Sequence, residues 1–334
     1  MINTSKELVE FAIEKMQENN NKKTIGGIPT GFSKIDALIF GLDSPSLNVI
    51  ASRPGMGKTA FILSMVHNMA IEFDISVAIF SLGCSSQQII RRMISTETGI
   101  STGKLRKGNL EHHEWEILNV KTKKLLNAPI YIDDSSELSI KELISKAESF
   151  VTEKNVKVIF IDYIQLLNIG KTNRQNREEE LSIIIKQLKF LSKKLHIPIV
   201  ITSQLSRQLE TRGGSKRPLL NDIRDSGAIE DDADIVSFLY RPEYYGLTEW
   251  DDEERTPCED QAELIILKNG IDGRIGNVRL EFNQFKAKFS DLEDNFGDKF
   301  QFKMNDAISS VNMPSAQDAF GTHDNLEDDK GVPF

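Results

Sequence analysis

The chain has 334 residues, 39% of them apolar and 27% charged, enough to bury the core of one large domain. Its net charge of −9 argues against a uniformly basic nucleic-acid surface. No apolar run is long enough to span a bilayer, and residues 1–22 are polar with no signal-peptide core, so the expected compartment is the cytoplasm.

The charge is unevenly spread. Residues 249–260 hold seven acids against Arg255, and residues 296–334 hold seven acids against three lysines. These two stretches account for the whole negative excess, which leaves the remainder near neutral with basic clusters at 171–177 and 207–217. Cys84 and Cys258 lie far apart with no histidine at metal-ligand spacing, so neither a disulfide framework nor a zinc site is indicated.

In chain order, residues 7–17 place Leu8, Ala12, Ile13 and Met16 at helical spacing, and Asn19-Asn20-Asn21 ends the pattern. Residues 1–22 therefore read as a short amphipathic arm. Such a helix must lay its stripe on its own domain or on a neighbouring subunit.

From residue 46 short apolar runs alternate with helical patterns: 47–51, a helix to about 73, 77–82, then a helix from Ser86. Further runs follow at 130–132, 156–161, 198–202, 235–240 and 262–267, with a long helix over 177–195. This rhythm predicts an α/β fold over residues 23–291, a mainly parallel twisted sheet with helices on both faces and ligands at the carboxyl ends of strands. Residues 278–289 read as a closing C-terminal antiparallel hairpin, and 292–334 as a disordered acidic tail.

Ser52, Arg53, Pro54, Gly55, Met56, Gly57, Lys58, Thr59 and Ala60 follow the first apolar run and open a helix. A loop between strand and helix aims several backbone N–H groups at one point, and the helix dipole adds positive potential. Lys58 is placed to reach terminal phosphates of ATP, and the Thr59 hydroxyl to hold magnesium. The strict phosphate-loop pattern has glycine where Ser52 stands, yet Gly55 and Gly57 keep the close backbone approach.

Downstream, an apolar strand ends in Asp162, an acid at the carboxyl end suited to ordering the water shell of Mg2+. A third strand ends in Ser203-Gln204, where the neutral Gln204 is placed to sense the terminal phosphate.

These residues resemble a known family. The stretches GGIPTGFSKIDALIFGL, SRPGMGKTAF, IDYIQLL, SQLSRQLETR followed by KRPLLNDIRDSGAIEDDADIVSFLYR, and KNGIDGRIGNVRLEF look like the C-terminal ATPase domain of the DnaB-type replicative DNA helicases, in order and at natural spacing. The resemblance implies a RecA-like P-loop NTPase fold and a homo-hexameric ring with ATP between subunits. It further implies binding of single-stranded DNA, unwinding of duplex DNA, and an arm that docks on the neighbour. Lys58, Asp162, Gln204 and Lys268 would carry catalysis. Arg224, Asp225 and Gly227 would follow DNA phosphates. From loop charge alone, Lys171, Arg174, Arg177, Arg207 and Arg212 are further candidates, the alternative being ordinary solvated loop charges.

Two positions depart from the family pattern. Where it has a glutamate that polarises the attacking water, this chain has Gly83, and where it has an arginine finger, this chain has Gly270. Each group is typically worth orders of magnitude in rate. Glu97 and Arg274 are the candidates to substitute for them. The rival to a working motor is a non-hydrolysing ring subunit or adaptor that binds ATP and DNA, and a recombinase is a third, weaker reading. The family's amino-terminal domain, which meets primase, has no counterpart here. The acidic ending NLEDDKGVPF reads either as a recruiter of replication partners such as primase or a helicase loader, or as an inert solubilising tail.

Overall fold

The computed structural model describes residues 4–22, 26–170, 177–223 and 227–292. The expected tail and the candidates Lys171, Arg174, Arg224 and Asp225 lie outside these residues. The arm is a helix, α1 (Ser5–Lys22), with Val9 and Met16 exposed.

Among the described residues nine strands form one sheet: β1 (Leu47–Ser52), β2 (Val77–Ser81), β3 (Ile130–Asp133), β4 (Val158–Asp162), β5 (Ile199–Gln204), β6 (Ile235–Tyr240), β7 (Gln261–Asn269), β8 (Gly276–Asn283) and β9 (Lys288–Asp291). Their spatial order is β3-β2-β4-β5-β1-β6-β7-β8-β9. The first six in that order pair in parallel, and the last three join antiparallel. The reversal thus begins at β7, one strand before the expected hairpin. An apolar run carries no direction; only its connection does, and the short turn from β7 to β8 suits an antiparallel pair.

Helices are α2 (Ser33–Ile39), α3 (Lys58–His67), α4 (Ser86–Thr98), α5 (Thr102–Lys107), α6 (His112–Asn127), α7 (Ile140–Lys154), α8 (Arg177–Leu195), α9 (Gln208–Thr211) and α10 (Gly227–Asp232). The helix expected to run to about residue 73 ends at His67 and continues as one π-type turn over Asn68–Glu72.

The central strands are buried on both sides, as a covered parallel sheet requires. Along β4, Ile159 and Ile161 pack with Leu143 of α7 and with Ile184 and Leu188 of α8, while Val158 and Phe160 pack with Phe61 of α3, Ile35 of α2 and Met93 of α4. The period of two thus feeds two cores from one strand. β9 closes the second core: Phe289 meets Phe61 edge-on at 5.4 Å, and its backbone N–H donates to the Ser64 hydroxyl of α3 at 3.0 Å.

Candidate nucleotide site

The phosphate loop runs from the end of β1 into α3, as the sequence pattern requires. Gly55 (φ +83°) and Gly57 (φ +100°) hold left-handed backbone, where a Cβ costs energy in any L residue. Space is tight as well: a Cβ on Gly57 would lie 3.0 Å from the Phe289 ring, and one on Gly55, 2.7 Å from the Tyr244 ring, would push that ring aside. Both neighbours come from the C-terminal half of the domain, which packs against the loop.

Lys58 folds over that loop. Its Nζ donates to the Ser52 carbonyl at 3.0 Å and lies 3.3 Å from the Ser52 hydroxyl. Burial lowers its pKa to about 8, with Arg53 adding to the shift and Asp162 opposing it. Thr59, the next residue, donates its hydroxyl to Asp162 Oδ2 at 2.5 Å. The other oxygen, Asp162 Oδ1, accepts from the Thr202 hydroxyl of β5 at 2.6 Å. Parallel pairing explains the meeting, because β4, β5 and β1 are adjacent and end together above α3.

Gln204 stands in register with Ser52 across the β1–β5 pair. The structure therefore brings Ser52, Lys58, Thr59, Asp162 and Gln204 to one end of three neighbouring strands. Thr202 belongs with them, although no sequence pattern marked it. Gln165, just past β4, donates to the Ser203 hydroxyl at 2.9 Å and links the same two strand ends.

The hydroxyl and carboxylate of Thr59 and Asp162 form a hard-oxygen pair at the start of the loop's helix. That set suits magnesium, which typically takes one or two protein oxygens and completes its shell with phosphate and water. No group of three or more His, Cys, Asp or Glu side chains suited to a metal occurs among the described residues, so a dedicated all-protein metal cage is not what this site offers.

Gly83 sits just past β2 at an exposed corner. The Leu82 N–H donates to the Asp162 carbonyl at 2.9 Å and the Ser81 hydroxyl to the Cys84 carbonyl at 2.7 Å, which holds the corner beside β4. A Cβ at Gly83 would lie 3.3 Å from the Tyr163 ring, and its backbone is not left-handed, so the local fold does not require glycine there.

Glu97 does not replace the missing acid. It is paired with His67 at the far end of α3, nine residues from Lys58, a separation of about 13 Å along a helix.

Lys268, Gly270 and Arg274 lie elsewhere. β7 runs antiparallel to β6, with Asn269 opposite Ile235, and Ile235 is in register with Asn48 near the start of β1. From Asn48 to the phosphate loop at Ser52 is four residues, about 13 Å of strand. Lys268 therefore stands toward the opposite end of the strands from its own phosphate loop. There its Nζ donates to the carbonyls of Glu230 and Asp231 at the end of α10. Arg274 lies over the Phe40 ring at 4.2 Å. A Cβ at Gly270 would meet the Asp234 carbonyl at 3.4 Å, which leaves room for a side chain.

Of the basic candidates, Arg207 is exposed, just before α9, and Gly227 is exposed at the start of α10. Arg212 is occupied with Asp222, at 3.0 and 2.6 Å, and Arg177 with Glu180 and the carbonyls of Gln165 and Leu167. Both hold loops in place rather than standing free for a ligand.

A parallel sheet, a glycine loop opening a helix, and an acid ending the neighbouring strands define a RecA-like nucleotide-binding ATPase fold. The chain belongs to the DnaB-like helicase C terminal domain family, whose model matches residues 27–291. It is 40% identical over 282 residues to the replicative DNA helicase DnaC of Bacillus subtilis, covering 84% of this chain and 60% of that protein. It is 40% identical over 278 residues to the replicative DNA helicase DnaB of Geobacillus stearothermophilus, covering 83% and 59%. The chain thus spans about three fifths of the length of these curated relatives.

Among solved structures, it is similar to one of an isolated ATPase domain, with a TM-score of 0.79 at 32% identity, covering 88% of this chain and 100% of that one. A DnaB-like replicative helicase, studied with its interactions with primase, gives a TM-score of 0.75 at 32% identity over 88% and 68% of the two chains. No helix among the described residues is long and apolar enough to cross a membrane.

Proposed function

We propose that this chain is the ATP-driven motor domain of a replicative DNA helicase, assembling as a hexameric ring that moves along single-stranded DNA and unwinds duplex. The observation that carries the reading is the chain of contacts Thr59, Asp162, Thr202 at the strand ends beside Lys58. Lys58 supplies the positive charge that meets the terminal phosphates, and backbone N–H groups of residues 55–60 surround them. Thr59 and Asp162 hold Mg2+, which when bound neutralises charge on the transferred phosphoryl group. Thr202 keeps the Asp162 carboxylate aimed at Thr59, and Gln204 reads the terminal phosphate.

The ring reading draws on Lys268, which the topology keeps from its own phosphate loop and which would have to leave the Glu230 and Asp231 carbonyls to meet a neighbour's nucleotide. α1, with Met16 at 69% exposure, is the arm that docks on that neighbour. Gly227 and Arg207 contribute to the DNA path, together with Arg224, Asp225 and Arg174, and the tail to contacts with primase or a loader.

Gly83 and Gly270 favour a second reading, a ring subunit that binds ATP and DNA without turnover, because the backbone demands glycine at neither position. ATP turnover by the purified chain, with and without single-stranded DNA, separates the two. Stimulated turnover that Lys58→Ala abolishes supports the motor, whereas nucleotide binding without turnover supports the inactive subunit. Failure to bind ATP at all refutes both.

A further inference from the structure

Arg53 lies inside the phosphate loop yet turns its side chain away from the phosphate position. Its side chain is 6% exposed, and the guanidinium donors have specific destinations. Nε and Nη2 donate to Glu210 Oε1 at 2.9 and 2.5 Å, and Nη1 donates to the Leu205 carbonyl at 2.8 Å. Both acceptors belong to the segment that follows β5. Glu210 is on α9, one turn beyond the exposed Arg207, whose carbonyl accepts from the Glu210 N–H at 3.0 Å.

That segment is itself a closed unit. Leu205 bridges Ile223, the Ser206 N–H donates to the Asp222 carbonyl at 2.8 Å, and Arg212 grips both Asp222 oxygens. Beyond Ile223 the chain leads toward Gly227. A displacement at Arg53 is therefore imposed on a braced loop rather than absorbed by a slack one.

The other end of Arg53 is tied to the nucleotide lysine. The Ser52 hydroxyl donates to the Arg53 carbonyl at 3.0 Å, and Lys58 Nζ approaches the same carbonyl at 3.5 Å while donating to Ser52. A phosphate that draws Lys58 away removes these contacts from the Ser52–Arg53 peptide. The planar guanidinium, held at three points, carries the change to Glu210 and Leu205.

We infer that the Arg53–Glu210 pair is a positioning element that couples nucleotide in the phosphate loop to the DNA-binding competence of the Arg207-bearing segment. The inference rests on the motor reading above and adds to it the route by which one site informs the other.

Coupling between two sites is reciprocal and is measured as a ratio of affinities. The test uses the full chain, ATPγS and a fluorescent oligo-dT, with DNA affinity measured by anisotropy with and without nucleotide and nucleotide affinity by calorimetry with and without DNA. In the unaltered protein ATPγS tightens DNA binding at least about tenfold, within the usual range for allosteric pairs. In Glu210→Ala the ratio falls below about threefold, while each ligand alone binds within about threefold of the unaltered protein. Glu210 is 43% exposed at its side chain, but its loss leaves the buried Arg53 without its anion, so Glu210→Ala is expected to melt lower in any case and the ratio of affinities is the deciding readout. Glu210→Gln, which keeps an acceptor for the guanidinium, recovers an intermediate ratio.

A purely structural pair would lower the melting temperature or the single-ligand affinities and leave the ratio alone, and that result overturns the inference. Retained coupling in Glu210→Ala also overturns it while sparing the motor reading. Absence of any nucleotide effect on DNA binding in the unaltered protein brings down the motor reading and the inference together.

Discussion

Lys58 titrates at about 8 because burial disfavours its ammonium form. Terminal phosphates bind the charged form, so ATP affinity is linked to this proton. Below pH 8 most of the lysine is already charged and affinity is flat. Above it the neutral fraction grows, and affinity falls by about tenfold per pH unit, so binding at pH 9 is roughly tenfold weaker than at pH 7.

The linkage demands proton uptake on binding of about half a proton at pH 8 and about nine tenths at pH 9. Its consequence for the fold without nucleotide has the opposite sign. The folded value lies below the unfolded one of 10.5, so the unfolded chain holds more protons and stability rises with pH between about 8 and 10.5. Calorimetry in two buffers of different ionisation enthalpy measures the uptake directly, with Lys58→Ala as the control. No uptake at pH 9, or the same uptake in Lys58→Ala, would refute the reasoning.

Restoring both departed groups with Gly83→Glu and Gly270→Arg raises DNA-stimulated turnover by orders of magnitude, since an arginine finger alone is typically worth about 10³ to 10⁵ in rate; no gain in the double variant sinks the assignment of those positions. Gly57→Ala forces a Cβ against the Phe289 ring at 3.0 Å in left-handed backbone, and at about 1 to 2 kcal/mol of strain ATP affinity drops about tenfold by calorimetry. Arg217 bonds the buried Glu263 and, at 2.6 Å, Asp251; Arg217→Ala lowers stability by about 3 kcal/mol, and adding Glu263→Gln recovers much of it. Equal melting curves for the unaltered protein and Arg217→Ala would contradict the last of these.

The strength of local signals explains what was readable in the chain. A phosphate loop is made by adjacent residues, so residues 52–60 carried their own chemistry, and the burial of β4 on both faces showed as an unbroken apolar run ending in Asp162. The helix Arg177–Leu195 and the strand Ile235–Tyr240 fell where their periodicity placed them.

Contacts between distant segments left no such mark. Thr202 became the second partner of Asp162 because two parallel strands end together, and β7 reversed direction because of its connections rather than its composition. Arg177, Arg212 and Glu97 drew attention as charges, but charge alone does not reveal a partner; tertiary packing gave each one an internal acceptor or, for Glu97, His67.

The sequence by itself determined the phosphate loop, the acid-ended strand and the two glycine departures, because each is encoded by a short run whose geometry is local. Only the tertiary structure decided that Lys268 stands toward the opposite end of the strands from its own Lys58, and that Arg53 turns from the phosphate position toward Glu210, because both depend on which strands lie side by side and in which direction they run.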